Sequence, residues 1–272
     1  MYTLYKRVSP YLVALSMAFF FLSCTNTDNL EPEPNEVGSL SIEFEHLVGG
    51  SPFDLDNEYQ RANGETFSVS TLNYYVSNII LSKEDGSTFV VPQEKSYFLI
   101  RNHTPETCLI TLDSIPADTY TGIAFTIGVD SLRSVSDISK RTGVLDPAQN
   151  EGMYWTWNSG YIFFMMEGIS SEAPEDPTGT RAFRFHIGGF GGYESATLNN
   201  LKDINLSIHH GEGAIVRKEK QPKIHLIVDV LKVLDGLEDV SLEENATVMF
   251  NPYSSVIAEN YTQLFTLDHI HN

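Results

Sequence analysis

The chain has 272 residues, of which 42% are hydrophobic, and it carries a formal net charge of −19. The hydrophobic content, with 16 Phe and 13 Tyr, excludes a disordered chain, and the charge repels phosphate backbones and so excludes nucleic acid as an expected partner. Two cysteines exclude a small domain that depends on a framework of disulfides.

The amino-terminal residues 1–23 are predicted to form a lipoprotein signal peptide. The basic pair Lys6–Arg7 precedes an apolar run at 8–22, and a small residue then stands directly before Cys24. A basic region followed by an apolar run is typical of a secretory signal, and a small residue before cysteine resembles the lipobox of bacterial lipoproteins. We therefore expect lipidation of Cys24 and attachment to a membrane through its acyl chains. The alternative is a soluble exported protein in which Cys24 has no such role.

Residues 24–38 are polar, acidic and contain proline, and they are predicted to form a tether that holds a folded domain away from the membrane. From residue 39 onward, alternation with a period of two dominates, and long helical patterns are absent. We therefore expect residues 39–272 to form one domain.

The predicted strands are short and separated by turn signals. They lie at 39–47, at 67–81 as two strands with a bend near 70–71, and at 89–91, 96–100, 107–112, 119–129, 161–167, 182–187, 204–210, 223–234 and 247–250. A short helix is expected within 134–140. This pattern favours an all-β fold, which we predict to be an antiparallel, Greek-key-like β-sandwich with long loops.

The segment Gly152–Tyr161, GMYWTWNSGY, contains both tryptophans of the chain. If it is read as a strand, Met153, Trp155 and Trp157 point to the same face of a sheet. The plain interpretation is a bulky strand of the hydrophobic core.

Histidines are the residues that most suggest a metal site. His46 continues an apolar stripe, where an imidazole needs a polar partner. In its predicted strand, His186 points to the face opposite to that of its apolar neighbours. A single histidine in such a place is more often a hydrogen-bonded core residue than a ligand. Imidazole and thioether together suit copper, but the sequence by itself brings none of these groups together. The eight histidines are His46, His103, His186, His209, His210, His225, His269 and His271.

No sequence motif indicates catalysis. A nucleophile elbow, a phosphate-binding loop, a zinc-protease helix and a Cys-x-x-Cys pair are all missing from the sequence. We therefore expect no enzymatic turnover, and a hydrolase with an unrecognised site is the least favoured function. Asp54, Asp56, Glu58 and Glu65 imitate a calcium-binding loop, but the sixth place needs glycine and holds Tyr59. A solvated acidic loop is the favoured interpretation there.

Several stretches, in order along the chain, resemble the MbnP-like copper-binding proteins, which are periplasmic proteins associated with methanobactin systems. The lipoprotein signal resembles that of Bacteroidetes-type members in particular. The matching stretches are 42–46 (IEFEH), 72–81 (LNYYVSNIIL), 120–130 (YTGIAFTIGVD), 152–168 (GMYWTWNSGYIFFMMEG) and 185–188 (FHIG).

The resemblance implies a mononuclear copper site and a tryptophan that is oxidised to kynurenine. The oxidation would be carried out by a partner enzyme similar to di-haem cytochrome c peroxidases, or by copper itself. Carried onto this chain, Trp155 or Trp157 would be modified, and the opened indole would offer an aryl amine as a ligand. His46 and His186 would be the imidazole ligands, with Met153 close by. The Trp-x-His spacing of some relatives is replaced here by Trp155-x-Trp157.

The sequence thus predicts an exported, lipid-anchored copper-binding protein of the cell envelope, either in the periplasm or at the cell surface, held by an outer-membrane anchor. The alternative is a surface lipoprotein that has lost the metal site and binds glycan or protein. In that case, exposed aromatic side chains at Trp155, Trp157 and Tyr161 would stack on the partner.

Overall fold

The computed structural model of the protein describes residues 35–157, 160–208 and 211–272. The predicted signal peptide, lipidated Cys24 and most of the predicted tether lie outside the described residues, as do His209 and His210. Those predictions therefore stay predictions. Within the described part of the chain, no helix combines the length and apolar character that crossing a bilayer requires.

Strands make up most of the secondary structure in the described ranges. They are β1 (Val37–Val48), β2 (Ser51–Pro52), β3 (Glu58–Gln60), β4 (Thr66–Lys83), β5 (Thr88–Val90), β6 (Tyr97–Arg101), β7 (Leu109–Pro116), β8 (Asp118–Ile127), β9 (Tyr154–Trp155), β10 (Gly160–Ser170), β11 (Ala182–Gly188), β12 (Lys202–Ser207), β13 (Ala214–Val216), β14 (Lys223–Asp229), β15 (Thr247–Val248) and β16 (Phe265–His271). The α-helices are α1 (Ser131–Ser134) and α2 (Ser254–Tyr261), and short 3-10 helices lie at Gln93–Lys95, Pro105–Cys108, Ile138–Lys140, Gly143–Leu145 and Val230–Val233.

The strands form two sheets. The smaller sheet has the order β16-β14-β1, with β2 and β7 along the other edge of β1. The larger sheet has the order β12-β8-β4-β10-β11-β15, with β13 paired to β8, with β3, β5 and β6 paired to β4, and with β9 paired to β10. One cluster of buried apolar side chains draws on both sheets. The prediction of an all-β, sandwich-like fold is therefore confirmed.

Two strand pairs depart from the predicted antiparallel arrangement. β1 runs parallel to β14, and β11 runs parallel to β15. A parallel pair needs a long connection, and β1 and β14 are separated by most of the chain. The alternation within each strand does not reveal such a pairing, because it is the same for both strand directions.

The first strand follows its sequence pattern closely. Leu40, Ile42 and Phe44 are at most 2% exposed and face the other sheet, and His46 lies on the same face. Glu43 and Glu45 lie on the opposite face, which is more open to solvent. The alternation predicted for β1 is therefore confirmed.

The long strand β4 lies at the centre of the larger sheet, where it pairs with β3, β5, β6, β8 and β10. It was predicted as two strands, but it runs unbroken from Thr66 to Lys83. The predicted bend near Ser70 is present as a shift of register between β4 and β10, at Gly168. A Cβ on Gly168 would lie 1.9 Å from the carbonyl oxygen of Ser68, so only glycine allows the strands to approach so closely there. The bend leaves the strand continuous because β10 still pairs on both sides of it.

The strand β10 is apolar on both faces because both faces are covered. Phe164 and Met166 belong to the core between the sheets, whereas Tyr161, Phe163 and Met165 belong to a second buried cluster. This second cluster lies on the outer face of the larger sheet, where residues from 129 to 155 fold over it. The predicted helix within 134–140 is replaced by α1 and the short 3-10 helix at Ile138–Lys140.

Candidate functional site

The aromatic segment forms a hairpin with the larger sheet. β9 consists only of Tyr154 and Trp155, and Trp155 lies opposite Gly160 of β10. The prediction that the whole of Gly152–Tyr161 is one strand is therefore wrong, because the chain reverses its direction between Trp155 and Gly160. The sequence there contains Asn, Ser and Gly, which favour turns.

The two tryptophans lie in contact but in different surroundings. Trp155 is 5% exposed and Trp157 is 65% exposed, and their ring centroids are 5.5 Å apart. The interpretation as a core strand holds for Met153 and Trp155 and is wrong for Trp157. Tyr161 is also buried, at 1% exposure. Of the three aromatic residues expected to stack on a glycan, only Trp157 is available at the surface.

The indole of Trp155 lies against the backbone of β11. A Cβ on Gly188 would lie 2.8 Å from Cζ3 of this ring, so the close approach requires glycine. The indole N–H is buried and has no hydrogen-bond partner among the described residues. A buried donor without a partner costs about 1–3 kcal/mol, and such a group needs an explanation. The indole N–H of Trp155 is therefore an exception to the rule that buried polar groups are hydrogen-bonded.

His186 lies on the same face of β11 as Gly188. Its neighbours Phe185 and Ile187 are fully buried in the core between the sheets, so the imidazole points to the outer side. Its Nε2 lies 2.7 Å from Oε1 of Glu167. In the tautomer in which Nε2 donates to this carboxylate, Nδ1 carries a free lone pair and can bind a metal.

A thioether lies directly across from this imidazole. Met165 of β10 is the register partner of His186, and side chains in such a pair are about 5 Å apart at Cβ. Met165 shares the outer buried cluster with Met153 and Trp155. The outer face thus brings three of the predicted site residues, Met153, Trp155 and His186, to one side of the larger sheet.

Met165 and Glu167 were not among the predicted site residues. Alternation along the predicted strand at 161–167 places positions 163, 165 and 167 on one face, and this is the signal that could have identified them. Their pairing with His186 could not be deduced, because the register between β10 and β11 includes an irregularity between Ile162 and Phe164.

His46 lies on the other side of the larger sheet. It faces the core between the sheets, where its Nε2 is 3.0 Å from the hydroxyl of Tyr74 and its ring packs near Phe53. The expected convergence of His46 and His186 is therefore not found. β1 turns its buried face towards the inner face of the larger sheet, whereas His186 projects from the outer face.

The surroundings of His46 are those of a hydrogen-bonded core histidine. Burial lowers the pKa of His46 to about 4, so the imidazole is neutral at pH 7. Burial also raises the pKa of Tyr74 well above its ordinary value, so the hydroxyl keeps its proton. The hydrogen bond between Nε2 of His46 and the Tyr74 hydroxyl agrees with the plain interpretation of a lone core histidine.

In the acidic loop that imitates a calcium site, Glu65 forms an ion pair with Arg61. Glu65 accepts from Arg61 Nη1 at 2.5 Å and from the Ser170 hydroxyl at 2.6 Å, and it is only 5% exposed. This carboxylate therefore forms an ion pair inside the protein, and the interpretation as a solvated acidic loop is wrong for Glu65.

Comparison with known proteins agrees with this architecture. The family model for MbnP matches residues 37–250. The structure is similar to that of MbnP from Methylosinus trichosporium, with 15% sequence identity over 80% of this chain and 82% of that chain, and a TM-score of 0.50. At this identity the structural likeness concerns the fold alone. No curated protein sequence matches the chain significantly. Because the family model covers well over half of the chain, the protein belongs to the MbnP family.

Proposed function

We propose that the protein is an exported copper-binding protein of the cell envelope and has no catalytic turnover of its own. Its membership of the MbnP family supports an association with copper. One observation carries the position of the site: His186, Met165 and Trp155 lie on the same outer face of the larger sheet, beside a buried indole N–H without a partner among the described residues.

These side chains form a donor set that fits copper. A thioether is a soft ligand that selects Cu(I), and imidazole accepts either oxidation state. Glu167 acts as the outer partner of His186, since a carboxylate that accepts the second ring N–H of a ligating imidazole fixes its tautomer and orientation. The side chain of His186 is 16% exposed, so it is accessible but shielded. Bound copper would supply a soft, redox-active centre at this surface.

The proposal includes oxidation of Trp155 to kynurenine. In this reaction the partner haem enzyme would use two equivalents of peroxide to insert two oxygen atoms across the C2–C3 bond of the indole, and hydrolysis of the N-formyl group would release formate. The aryl amine that is left on this face would add a nitrogen ligand to the donor set. Trp157 contacts Trp155 and is exposed, so it offers a partner haem enzyme a route from the surface to the buried ring. Lipidation at Cys24 would hold the protein at the outer membrane, within the periplasm or on the cell surface.

The alternative, a lipoprotein that binds glycan or protein through aromatic side chains, has less support. It requires several exposed rings side by side, and both Trp155 and Tyr161 are buried. Quenching of tryptophan fluorescence distinguishes the two functions. Copper bound near Trp155 would quench the emission of this buried residue, whereas an oligosaccharide stacked on Trp157 would change only the emission of Trp157.

Substitution of the proposed ligands tests the position of the copper site. The Cu(I) affinity of the purified protein is measured by competition with a chromophoric chelator, for the wild type, His186→Ala, Met165→Leu and His46→Gln. We expect His186→Ala to weaken binding at least tenfold and Met165→Leu to weaken it less, because imidazole is the stronger ligand. His46→Gln should leave the affinity unchanged, because His46 faces the core between the sheets.

His103→Ala serves as the matched control, because His103 is an exposed histidine that pairs with Glu151 rather than with any of the proposed ligands. Circular dichroism of each variant confirms that it is folded. Unchanged affinity in His186→Ala would contradict the proposed site, and so would an equal loss in His186→Ala and His46→Gln, since that result would require both imidazoles to bind the same ion.

A further inference from the structure

The outer face of the smaller sheet carries a group of histidines and carboxylates that the copper site does not use. We call it the imidazole cluster and define it as Glu45 of β1, His225 of β14, and Asp268, His269 and His271 of β16. The three strands are neighbours in the order β1-β14-β16. The cluster therefore lies on the opposite sheet from His186 and Trp155.

A β-bulge places two consecutive residues of β16 on the same side. His225 is paired with His269, and Leu226 is paired with Leu267, so Asp268 is an extra residue in this strand. A bulge leaves two residues opposite one on the partner strand. As a result, Asp268 and His269 are both exposed, on the side where His225 lies.

The side chains of the cluster form a continuous chain of contacts. Oδ2 of Asp268 lies 3.1 Å from Nδ1 of His225 and 2.7 Å from Nδ1 of His269. The second nitrogen of each imidazole is also engaged. Nε2 of His225 lies 3.1 Å from Oε2 of Glu45, and Nε2 of His269 lies 2.8 Å from Nε2 of His271.

A metal ion requires the lone pairs of both Nδ1 atoms, which face Oδ2 of Asp268. When Nε2 of His225 donates to Glu45 and Nε2 of His269 donates to His271, both Nδ1 atoms carry lone pairs. One ligand atom from each of His225, Asp268 and His269 then lies within 4.8 Å of the other two. Without a cation, two lone pairs would face one carboxylate oxygen, so each Nδ1 must instead hold a proton. A metal ion takes the place of these protons.

The exposure of the proposed ligands agrees with a site at the surface of the sheet. The side chain of His225 is 12% exposed, whereas those of Asp268 and His269 are 43% and 45% exposed. The proposed ligands are therefore anchored on one side and open to solvent on the other.

We propose that the imidazole cluster is a second metal site, which takes a divalent ion of the borderline class such as Zn²⁺. Two imidazoles and one carboxylate are typical zinc ligands, and a site with three protein ligands keeps a position for water. Glu45 and His271 are the outer partners that orient the two ligating rings. Asp268 and His269 lie beyond residues 37–250, which the family model matches, so this site does not follow from family membership.

Titration of the purified full chain with Zn²⁺, after removal of bound metal by a chelator, tests the proposal. We expect the wild type to bind one Zn²⁺ per chain at this cluster. Asp268→Asn and His269→Ala should each weaken this binding at least tenfold. Glu45→Gln removes only an outer partner and should weaken it about tenfold or more. Binding should also release protons, because the ligands lose protons to the solvent, and this is measured by repeating the calorimetric titration in two buffers.

His103→Ala and His186→Ala are the controls, since the first removes an exposed histidine elsewhere and the second removes the proposed copper ligand. Both should keep the affinity of the wild type for Zn²⁺. The proposal is overturned if Asp268→Asn and His269→Ala bind Zn²⁺ as tightly as the wild type, or if the wild type binds no Zn²⁺. Loss of Cu(I) binding in His186→Ala is read out separately, so failure of one site is distinguishable from failure of the other.

Discussion

Arg61→Ala is expected to lower the free energy of unfolding by about 3–5 kcal/mol, the range for removing one partner of a buried ion pair. Arg61 is 4% exposed, and its Nη1 lies 2.5 Å from the carboxylate of Glu65, which is also buried. The substitution leaves Glu65 buried with only the Ser170 hydroxyl as a side-chain partner. A buried carboxylate without its cation is strongly destabilising because the desolvation of the charge is no longer compensated.

The same guanidinium connects two distant parts of the chain. Arg61 lies between β3 and β4 of the larger sheet, and it donates to the backbone carbonyls of Val240 and Leu234 and to the carboxylate of Asp235. These acceptors belong to the segment that follows β14 of the smaller sheet. The substitution therefore removes two ion pairs, with Glu65 and Asp235, and the hydrogen bonds to Val240 and Leu234.

Denaturant unfolding of the wild type and the variants measures this effect. Arg181→Ala is the control, because Arg181 pairs with Glu175 at 3.6 Å and both side chains are about half exposed; its expected cost is below about 1 kcal/mol. The double variant Arg61→Met with Glu65→Leu should recover the part of the loss that comes from the unpaired charge of Glu65. It should not recover the part that comes from the acceptors on Leu234, Asp235 and Val240, because methionine donates no hydrogen bond. Equal costs for Arg61→Ala and Arg181→Ala would show that the pair is not buried as the structure has it.

The second large effect is a loss of stability at acidic pH that depends on His46. The pKa of His46 is lowered by burial from 6.5 to about 4 in the folded protein. Between these values the unfolded chain binds a proton that the folded protein does not, so stability falls as the pH falls from 6.5 to 4. At about 1.4 kcal/mol per pH unit, the full effect is on the order of 3 kcal/mol and is reached below pH 4.

Unfolding curves of the wild type and His46→Gln across this pH range measure the contribution. The variant lacks the titrating group, so the difference in unfolding free energy between the two proteins should change in favour of the variant as the pH falls. His103→Gln controls for an exposed histidine and should keep the pH dependence of the wild type. Parallel pH profiles for the wild type and His46→Gln would contradict the assignment.

Local alternation predicts a large part of this fold. It identified the buried face of β1, the position of His46 among apolar residues, and the outward direction of His186 between Phe185 and Ile187. It also indicated that Trp155 is buried. These properties depend on residues two apart in the same strand, and burial of one face is enough to fix them.

The sequence pattern does not determine which faces of the strands pack together or in which register the strands pair. Whether His46 and His186 meet depends on which face of the larger sheet each one approaches. Alternation within a strand does not specify that face. The partner of His186 depends on an irregular register, and the outward position of both Asp268 and His269 depends on a bulge in a strand that was not predicted. Trp157 was misplaced because alternation was extended through a turn.

The most direct test of the copper function is the composition of the protein isolated from its own host. Elemental analysis is combined with mass spectrometry of the peptide that contains Trp155 and Trp157. We expect about one copper per chain and conversion of Trp155, but not Trp157, to kynurenine or its formyl precursor. Protein that carries no copper and retains both tryptophans unmodified would contradict the proposed function.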